Sequence, residues 1–276
     1  MKILILNSGS SSVKYKLYEI NDTYAVLASG IVERIGLTQS QVVHEVRAKH
    51  TATIAQSIPD HKTALRLISS LLVDPNHGIL ADLSEIAGIG HRVVHGAEKF
   101  SQSVLINDEV LAAIRACCDL APLHNPPNLL GIEACTELMP ATPQVAVFDT
   151  AFHQTMPKKA YLYGLEYRQY ETYGIRRYGF HGSSHRYVAA EAARILKRPL
   201  RELKIITCHL GNGCSLAAVS GGRSVDTSMG LTPLEGVVMG TRCGDIDPYI
   251  PLYLMQKENL SLSDINTLLN KKSGLL

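Results

Sequence analysis

The stretch that decides the fold is Ile3-Leu4-Ile5-Leu6-Asn7-Ser8-Gly9-Ser10-Ser11-Ser12-Val13-Lys14-Tyr15-Lys16-Leu17 at the start of the chain. Residues 3–6 form a short apolar run, which is typical of a buried strand. Residues 7–12 predict a polar loop. From Val13 onward, apolar and polar residues alternate with a period of two, which predicts a half-buried second strand. A third strand is predicted over 24–31, so the chain opens with a strand–loop–strand–turn–strand unit.

The same unit recurs far along the chain. Its strand, loop, strand, turn and strand are predicted in that order at 205–210, 211–213, 214–219, 220–223 and 224–227. Two copies of one unit predict two similar lobes. Between the copies lie a strand at 145–148 and four segments with apolar residues at helical spacing, at 64–72, 110–118, 129–138 and 188–196. Asp60 is the predicted N-cap of the first helix, Pro126-Pro127 begin the third, and Pro199 is predicted to end the last. The alternation favours an α/β fold.

Composition narrows the classes of protein. The chain has 276 residues, of which 46% are hydrophobic and 19% charged, as in a folded globular protein of one large or two smaller domains. The formal net charge of +2 gives no electrostatic argument for nucleic acid or a membrane surface as a partner. The sequence shows neither a long apolar span nor a signal-peptide core, and its cysteines show no CxxC pattern. We therefore expect a cytoplasmic protein with reduced thiols.

The two copies differ in the length of chain that follows them. The first opens a lobe predicted over 1–150, and the second lies in a lobe predicted over 151–276. Fewer residues follow the second copy than a lobe of the first size needs. We therefore expect either a much reduced second lobe or a chain that is the front part of a longer protein, with a second lobe that is incomplete.

The serine loop offers backbone N–H groups and hydroxyls in a compact turn, which suits phosphate oxygens or a hydrated metal. Lys14 lies just beyond it. Taken alone, such a loop is also typical of a polar hairpin turn. The second loop, at 209–213, favours the phosphate interpretation, because a two-lobed phosphate clamp requires two such devices. The sequence has no GxxxxGK[ST] motif, which excludes a P-loop.

Other polar segments allow more than one interpretation. Arg92 suits bidentate binding of a carboxylate or phosphate, whereas the flanking His91 and His95 have a spacing that also occurs at metal sites. Asp149 ends a predicted strand, where α/β proteins bind ligands and where helix caps also occur. Residues 178–185 concentrate Gly, His and Ser, but without a G-x-S-x-G elbow a serine hydrolase is not favoured. Arg242 lies between glycines, in backbone suited to bend around a ligand or to form an exposed turn.

Taken together, these segments resemble the acetate and propionate kinase family. The matching segments follow the family's order and span nearly all of the chain: NSGSSSVKY (7–15), GHRVVHGAEKF (90–100), APLHNPPNLLGIEA (121–134), VAVFDTAFHQTMP (145–157), YGFHGSSHRYV (178–188), HLGNGCSLAAV (209–219), VDTSMGLTPLEG (225–236) and MGTRCGDIDP (239–248). The resemblance implies two ribonuclease H-like lobes of the actin-like ATPase fold. ATP would lie between a complete first lobe and the front part of a nucleotide-binding second lobe.

The resemblance also implies a reaction: reversible, Mg²⁺-dependent, in-line phosphoryl transfer from ATP to acetate, giving acetyl phosphate and ADP. The implied catalytic residues are Asp149, His181, Arg242 and His124. The implied substrate site is Arg92 with an apolar pocket of Val94, Leu123, Phe180 and Pro233. The implied ATP-phosphate residues are Ser10, Ser12, Lys14, His209, Leu210, Gly211, Asn212 and Gly213. Asn7 matches a residue associated with Mg²⁺, for which Mn²⁺ is an alternative.

The charge of the acceptor and the length of the chain both modify what the resemblance implies. A carboxylate acceptor is already an anion at pH 7 and needs no general base, so we expect Asp149 to position Arg92 or the metal and not to transfer a proton. The family continues for about another third of its length, which supplies the adenosine pocket. Three alternatives stay open: a propionate-preferring acyl kinase, a chaperone-like or filament-forming ATPase, and a folded but inactive fragment. The resemblance further implies a homodimer formed through the second lobe.

Overall fold

The structure is a computed structural model that describes residues 1–47, 49, 51–122 and 124–276. The chain divides into two compact units, 1–148 and 149–276. Each unit has its own sheet and its own helices, and the prediction of an α/β fold is confirmed.

The first unit is built on an eight-stranded mixed sheet. Its strands are β1 (Lys2–Ser8), β2 (Ser12–Ile20), β3 (Tyr24–Glu33), β4 (Gln41–Val46), β5 (Ala52–Ala55), β6 (Ile86–Val93), β7 (Val104–Leu105) and β8 (Gln144–Phe148). They lie in the order β5-β4-β3-β2-β1-β6-β8-β7. β1 pairs antiparallel with β2 and parallel with β6, and β6 pairs parallel with β8. The predicted opening unit is therefore present as β1-β2-β3.

Helices α1 (His61–Leu72) and α3 (Asn125–Leu138) pack together and against this sheet, and α2 (Asp108–Ala116) packs on α3. The predicted cap of α1 is confirmed, because the Asp60 side chain accepts the N–H of Thr63. Pro126-Pro127 lie in the first turn of α3, as predicted. The core between sheet and helices is apolar and includes Leu4, Leu6, Val13, Leu17, Leu65, Ile68 and Leu72. Since strand side chains alternate, the residues next to these along β1 and β2 point to the opposite face.

The second unit contains a three-stranded antiparallel sheet. Its strands are β9 (Lys204–Leu210), β10 (Cys214–Ser220) and β11 (Arg223–Thr227), in the order β11-β10-β9. Strand, loop, strand, turn and strand follow one another as in β1-β2-β3. The loops 9–11 and 211–213 occupy the same place in the two copies, so the predicted repeat is confirmed.

The helices of the second unit are α4 (Lys158–Tyr161), α5 (Tyr167–Tyr173), α6 (Gly182–Leu196), α7 (Tyr249–Glu258) and α8 (Leu262–Lys271). Short 3₁₀ turns cover Ala151–Thr155 and Leu200–Glu202 in this unit and Leu83–Glu85 in the first unit. α6 ends at Leu196, and its cap Lys197 has a left-handed φ of 52°. Pro199 follows two residues later, where its ring cannot continue a helix, as predicted. In the described residues, no helix is both long enough and apolar enough to span a membrane.

Candidate active site

Predicted site residues of the first unit meet on the sheet face opposite the helices. Asn7 and Lys14 are direct partners in the β1–β2 register, so their side chains share one face. On the other side of β1, Arg92 Nη1 donates to Asn7 Oδ1 at 3.2 Å. The residues implied to bind metal, ATP and acyl substrate are thus neighbours in this unit.

The serine loop is shorter than predicted, because β1 runs through Ser8 and β2 begins at Ser12. Two carbonyl oxygens of this loop accept hydrogen bonds from other residues of the first unit. Buried His61 donates from Nε2 to Gly9 O at 2.6 Å, and the Ile35 N–H donates to Ser11 O at 3.0 Å. Ser10 at the tip is exposed. A loop anchored by its carbonyls, with a hydroxyl at the exposed tip, suits an anion.

The asparagines of the HNPPN segment fasten α3 to the ends of two strands. Asn128 Oδ1 accepts the N–H of Val94 at 3.1 Å, and Asn128 Nδ2 donates to Ser8 O at 2.7 Å. Asn125 likewise accepts the N–H of His95 at 3.1 Å and donates to His95 O at 2.9 Å. All of these groups are buried, so the bonds satisfy backbone that would otherwise be unpaired. Val94 is buried beside them, as an apolar pocket residue would be.

One further predicted residue lies next to these asparagines. His124 is the residue before α3 and is half-buried. Leu123 lies outside the described residues. The sequence pattern did not distinguish the asparagines from ligand-binding groups, because a polar loop between helices serves either purpose.

In the second unit, Asp149 holds the backbone of His181. Asp149 Oδ2 accepts the His181 N–H at 3.0 Å, and Asp149 O accepts the Gly182 N–H at 2.9 Å. His181 has a φ of 56°, in the left-handed region. That conformation costs a non-glycine residue about 1–2 kcal/mol, which the bonds to Asp149 offset. These bonds position the backbone of His181, whereas the sequence predicted Arg92 or the metal as the group that Asp149 positions.

His181, Arg242 and the loop 211–213 converge. A Cβ placed on Gly213 would lie 3.0 Å from Arg242 Nη1 and 3.6 Å from His181 Cε1. Arg242 Nη1 also donates to Pro233 O at 3.0 Å, which fixes the guanidinium. Burial lowers the pKa of Arg242, but an arginine remains charged at neutral pH. Glycine at 213 therefore leaves room for the side chains of Arg242 and His181 beside the loop.

A hydrogen-bonded set of residues behind His181 was missed by the sequence interpretation. Ser215 Oγ lies 2.8 Å from His181 Nδ1 and 2.8 Å from His185 Nε2, and His185 Nδ1 lies 2.7 Å from Thr207 Oγ1. The ring of His209 stacks on that of His181 with centroids 3.9 Å apart. Burial, with neighbouring imidazoles, lowers the pKa of His185 to about 3, so this ring is neutral at pH 7. The spacing of the two histidines in GFHGSSH, which suits one helix side, was the available signal.

The side chains that could ligate a metal ion show whether this chain fits the implied magnesium site. In the part of the chain that the structure describes, no group of three or more His, Cys, Asp or Glu side chains could hold a metal ion. Asn7 offers an amide oxygen, and Arg92 already donates to it. Mg²⁺ needs several oxygen ligands, and a guanidinium at the same oxygen competes with it. The described residues therefore do not fit a magnesium site held by the protein alone.

Comparison with known proteins agrees with this architecture. The model of the acetokinase family matches residues 2–276. Acetate kinase of Halothermothrix orenii is 60% identical over 275 residues, which cover 100% of this chain and 69% of the relative. Acetate kinase of Dictyoglomus thermophilum is 59% identical over 276 residues, with the same shares of 100% and 69%.

Solved structures agree as well. The acetate kinase of Porphyromonas gingivalis superposes with a TM-score of 0.93 at 49% identity, over 99% of this chain and 68% of that one. A propionate kinase from Francisella tularensis gives a TM-score of 0.91 at 47% identity, over 99% and 68%. Fold and site thus define the class of phosphotransferases with an α/β fold. Within that class, the chain belongs to the acetokinase family and spans about 69% of the length of these relatives.

Proposed function

We propose that the chain transfers the γ-phosphoryl group of ATP to acetate, giving acetyl phosphate and ADP. The observation that supports this most strongly is the convergence of Arg242 and His181 on Gly213. Phosphoryl transfer to a carboxylate brings two anions together, so catalysis consists mainly of positioning and of positive charge and N–H donors around the moving group. The second unit offers a fixed guanidinium, an imidazole and a glycine loop at one place.

Each site residue of the second unit has a defined role in this proposal. The backbone of 211–213, with His209, binds ATP phosphate oxygens, because a glycine loop lets them approach closely. Arg242 supplies charge to the transferring group, a role in which an arginine contributes about 10³–10⁵ in rate. Asp149 keeps His181 in its left-handed conformation, and the acceptor carboxylate needs no base.

The first unit supplies the acceptor side and further phosphate contacts. Arg92 binds the acetate carboxylate, and Lys14 with the serine loop binds phosphate. Val94 lines the acyl pocket of this unit, with Leu123 and His124 as further predicted members. Phe180 and Pro233 are the pocket residues of the second unit. In this proposal Mg²⁺, or Mn²⁺ as an alternative, enters the site bound to the ATP phosphates and lies near Asn7. We also propose that the protein acts as a homodimer in the cytoplasm.

The test is acyl phosphate formation from acetate and ATP, with the product trapped as a hydroxamate. We expect turnover in the chain and a loss of about 10³-fold or more in Arg242→Ala. Arg201→Ala is the matched control, because the Arg201 side chain is 83% exposed and should leave the rate unchanged. An Arg242→Ala variant that keeps a tenth of the rate would contradict the role of Arg242. A folded chain without turnover would favour the inactive-fragment alternative, and ATP hydrolysis without acetate would favour an ATPase.

Propionate is a second candidate acceptor, favoured by the similarity to a propionate kinase structure at 47% identity. One methylene in an apolar pocket changes selectivity by about 1–3 kcal/mol, or roughly 10- to 200-fold. Comparing kcat/KM for acetate and propionate in the same assay decides between them.

A further inference from the structure

The peptide group between Phe180 and His181 is bonded on both of its sides to one short segment of chain. The N–H of this group belongs to His181 and donates to Asp149 Oδ2 at 3.0 Å. Its carbonyl oxygen belongs to Phe180 and lies 3.0 Å from His153 Nε2. Asp149 and His153 are four residues apart, so a single turn of chain sets the plane of this peptide group.

The bond between His153 and Phe180 has only one possible direction. A carbonyl oxygen has no proton, so His153 Nε2 carries the hydrogen and donates to Phe180 O. His153 is fully buried, and burial lowers the pKa of its ring to about 4, so the ring is neutral at pH 7. A neutral imidazole has a single N–H, so His153 Nδ1 is an acceptor, and the Ser224 hydroxyl donates to it at 2.8 Å. Ser224 thereby stabilises the tautomer that the bond to Phe180 needs.

The turn that carries His153 is itself fastened to β11. Thr155 Oγ1 donates to the backbone oxygen of Ser224 at 2.8 Å, so Ser224 bonds to the side chains of both His153 and Thr155. The ring of His153 also packs closely on Gly179, where a Cβ would lie 2.8 Å from His153 Cδ2. Gly179 has a left-handed φ of 72°, which bends the chain just before His181. The ring therefore lies between a fixed strand and the bent segment that leads to His181.

We propose that His153 is a positioning residue of the active site, which together with Asp149 fixes the plane of the Phe180–His181 peptide group. The two torsions that rotate this group are ψ of Phe180 and φ of His181. His181 holds a left-handed φ of 56°, so rotation of the peptide group relieves its strain and moves its side chain. The loss of either bond makes that rotation easier. The part that His181 plays in the reaction rests on the proposed function, whereas the clamp on the peptide group does not.

Two substitutions of His153 separate its bond to Phe180 from its bond to Ser224. In His153→Gln the amide nitrogen takes the place of Nε2 and can still donate to Phe180 O, whereas the shorter side chain of His153→Asn reaches only the place of Nδ1. Buried His44 of the first unit is the matched control, because its Nε2 donates to His77 O at 3.0 Å and burial lowers its pKa as well. His44→Gln and His44→Asn therefore make the same chemical change without touching the Phe180–His181 peptide group.

The direct test is amide hydrogen exchange of the chain without substrates, measured by NMR. The His181 N–H should exchange about three- to tenfold faster in His153→Asn than in the wild type, and near the wild-type rate in His153→Gln. The Leu216 N–H of the same unit, which donates to Ser228 Oγ at 2.9 Å, reports any general loosening. An increase at His181 that does not exceed the increase at Leu216 would overturn the proposal. If His153→Asn does not fold, Ser224→Ala takes its place with the same expectation.

The rate of hydroxamate formation supplies a second measurement. His153→Asn should lower kcat about three- to tenfold with KM for ATP unchanged, His153→Gln should restore most of kcat, and the His44 variants should leave it unchanged. Asp149→Ala releases the same peptide group, so its combination with His153→Asn should lose less than the product of the two single losses. Losses that multiply would contradict a shared clamp. A folded chain without any turnover would contradict the proposed function, and hydrogen exchange would then decide the role of His153.

Discussion

Substitution of Asp149 separates a positioning role from proton transfer. Asp149 is 3% exposed, and its Oδ2 accepts the His181 N–H at 3.0 Å. Asp149→Asn keeps an oxygen of the same shape that can accept this N–H, whereas Asp149→Ala removes it. Neither variant can act as an acid or base. Proton transfer by Asp149 therefore predicts equal losses of activity, and positioning predicts unequal ones.

The structure sets the size of the difference. A hydrogen bond to a charged group contributes about 1.5–3 kcal/mol, and a neutral one about half of that. His181 also holds a left-handed φ of 56°, which relaxes once its N–H has no fixed acceptor. If this free energy is lost from the positioning of His181, Asp149→Ala lowers kcat about 10- to 150-fold. Asp149→Asn loses about 1 kcal/mol, or roughly fivefold.

The assay is the initial rate of hydroxamate formation, with thermal unfolding measured on each variant. Asp60→Ala is the matched control, because Asp60 also accepts a backbone N–H, at 2.7 Å, but caps α1 in the first unit. It should cost about 1 kcal/mol of stability and leave kcat unchanged. An Asp149→Asn variant as inactive as Asp149→Ala would refute the positioning argument, since the carboxylate itself would then be essential.

Three further predictions concern the single residues Gly213, Asn128 and His91. Gly213→Ala should lower kcat about tenfold with little change in unfolding temperature, because its methyl group would lie 3.0 Å from Arg242 Nη1 and shift it; an unchanged kcat would refute this. Asn128→Ala removes two buried bonds to backbone and should cost about 2–3 kcal/mol in urea unfolding, and a cost below 0.5 kcal/mol would contradict it. Burial lowers the pKa of His91 from 6.5 to about 4. Between those values the unfolded chain binds a proton that the folded chain does not, so stability falls as the pH falls, by up to about 1.4 kcal/mol per pH unit. His91→Gln should reduce this slope in urea unfolding at several pH values, and the remaining slope includes the contribution of buried His185. A slope that is unchanged in His91→Gln would contradict the prediction.

The repeated strands were predictable because their signals are local. Alternation of side chains, short apolar runs and polar turn residues predict β1-β2-β3 and β9-β10-β11 without knowledge of the rest of the chain. The parallel pairing of β6 with β1 has no such local signal. It brings Arg92 to Asn7 across 85 residues of sequence, and only the folded sheet sets that register.

Buried polar side chains were harder to interpret. Asn128 and Ser215 stand in segments that resemble a kinase family, and their sequence context suits ligand binding and structural bonding equally. The structure shows Asn128 on backbone groups and Ser215 between two histidines. Which of these roles a polar residue has depends on what lies opposite it, and spacing along the chain does not contain that information. The roles implied for His124 and Leu210 stay predictions for the same reason.

The two copies of the strand–loop–strand unit have acquired different chemistry. The loop 9–11 is anchored by its carbonyls and presents a serine, with Lys14 and Arg92 on the adjoining sheet face. The loop 211–213 is glycine-rich and has Arg242 fixed beside it. Each unit therefore carries its own cations, although the chain as a whole has a net charge of only +2. For a reaction between two anions, charge fixed at each loop is more effective than charge spread over the surface, because salt screens exposed charges and preorganised groups do not have to reorganise.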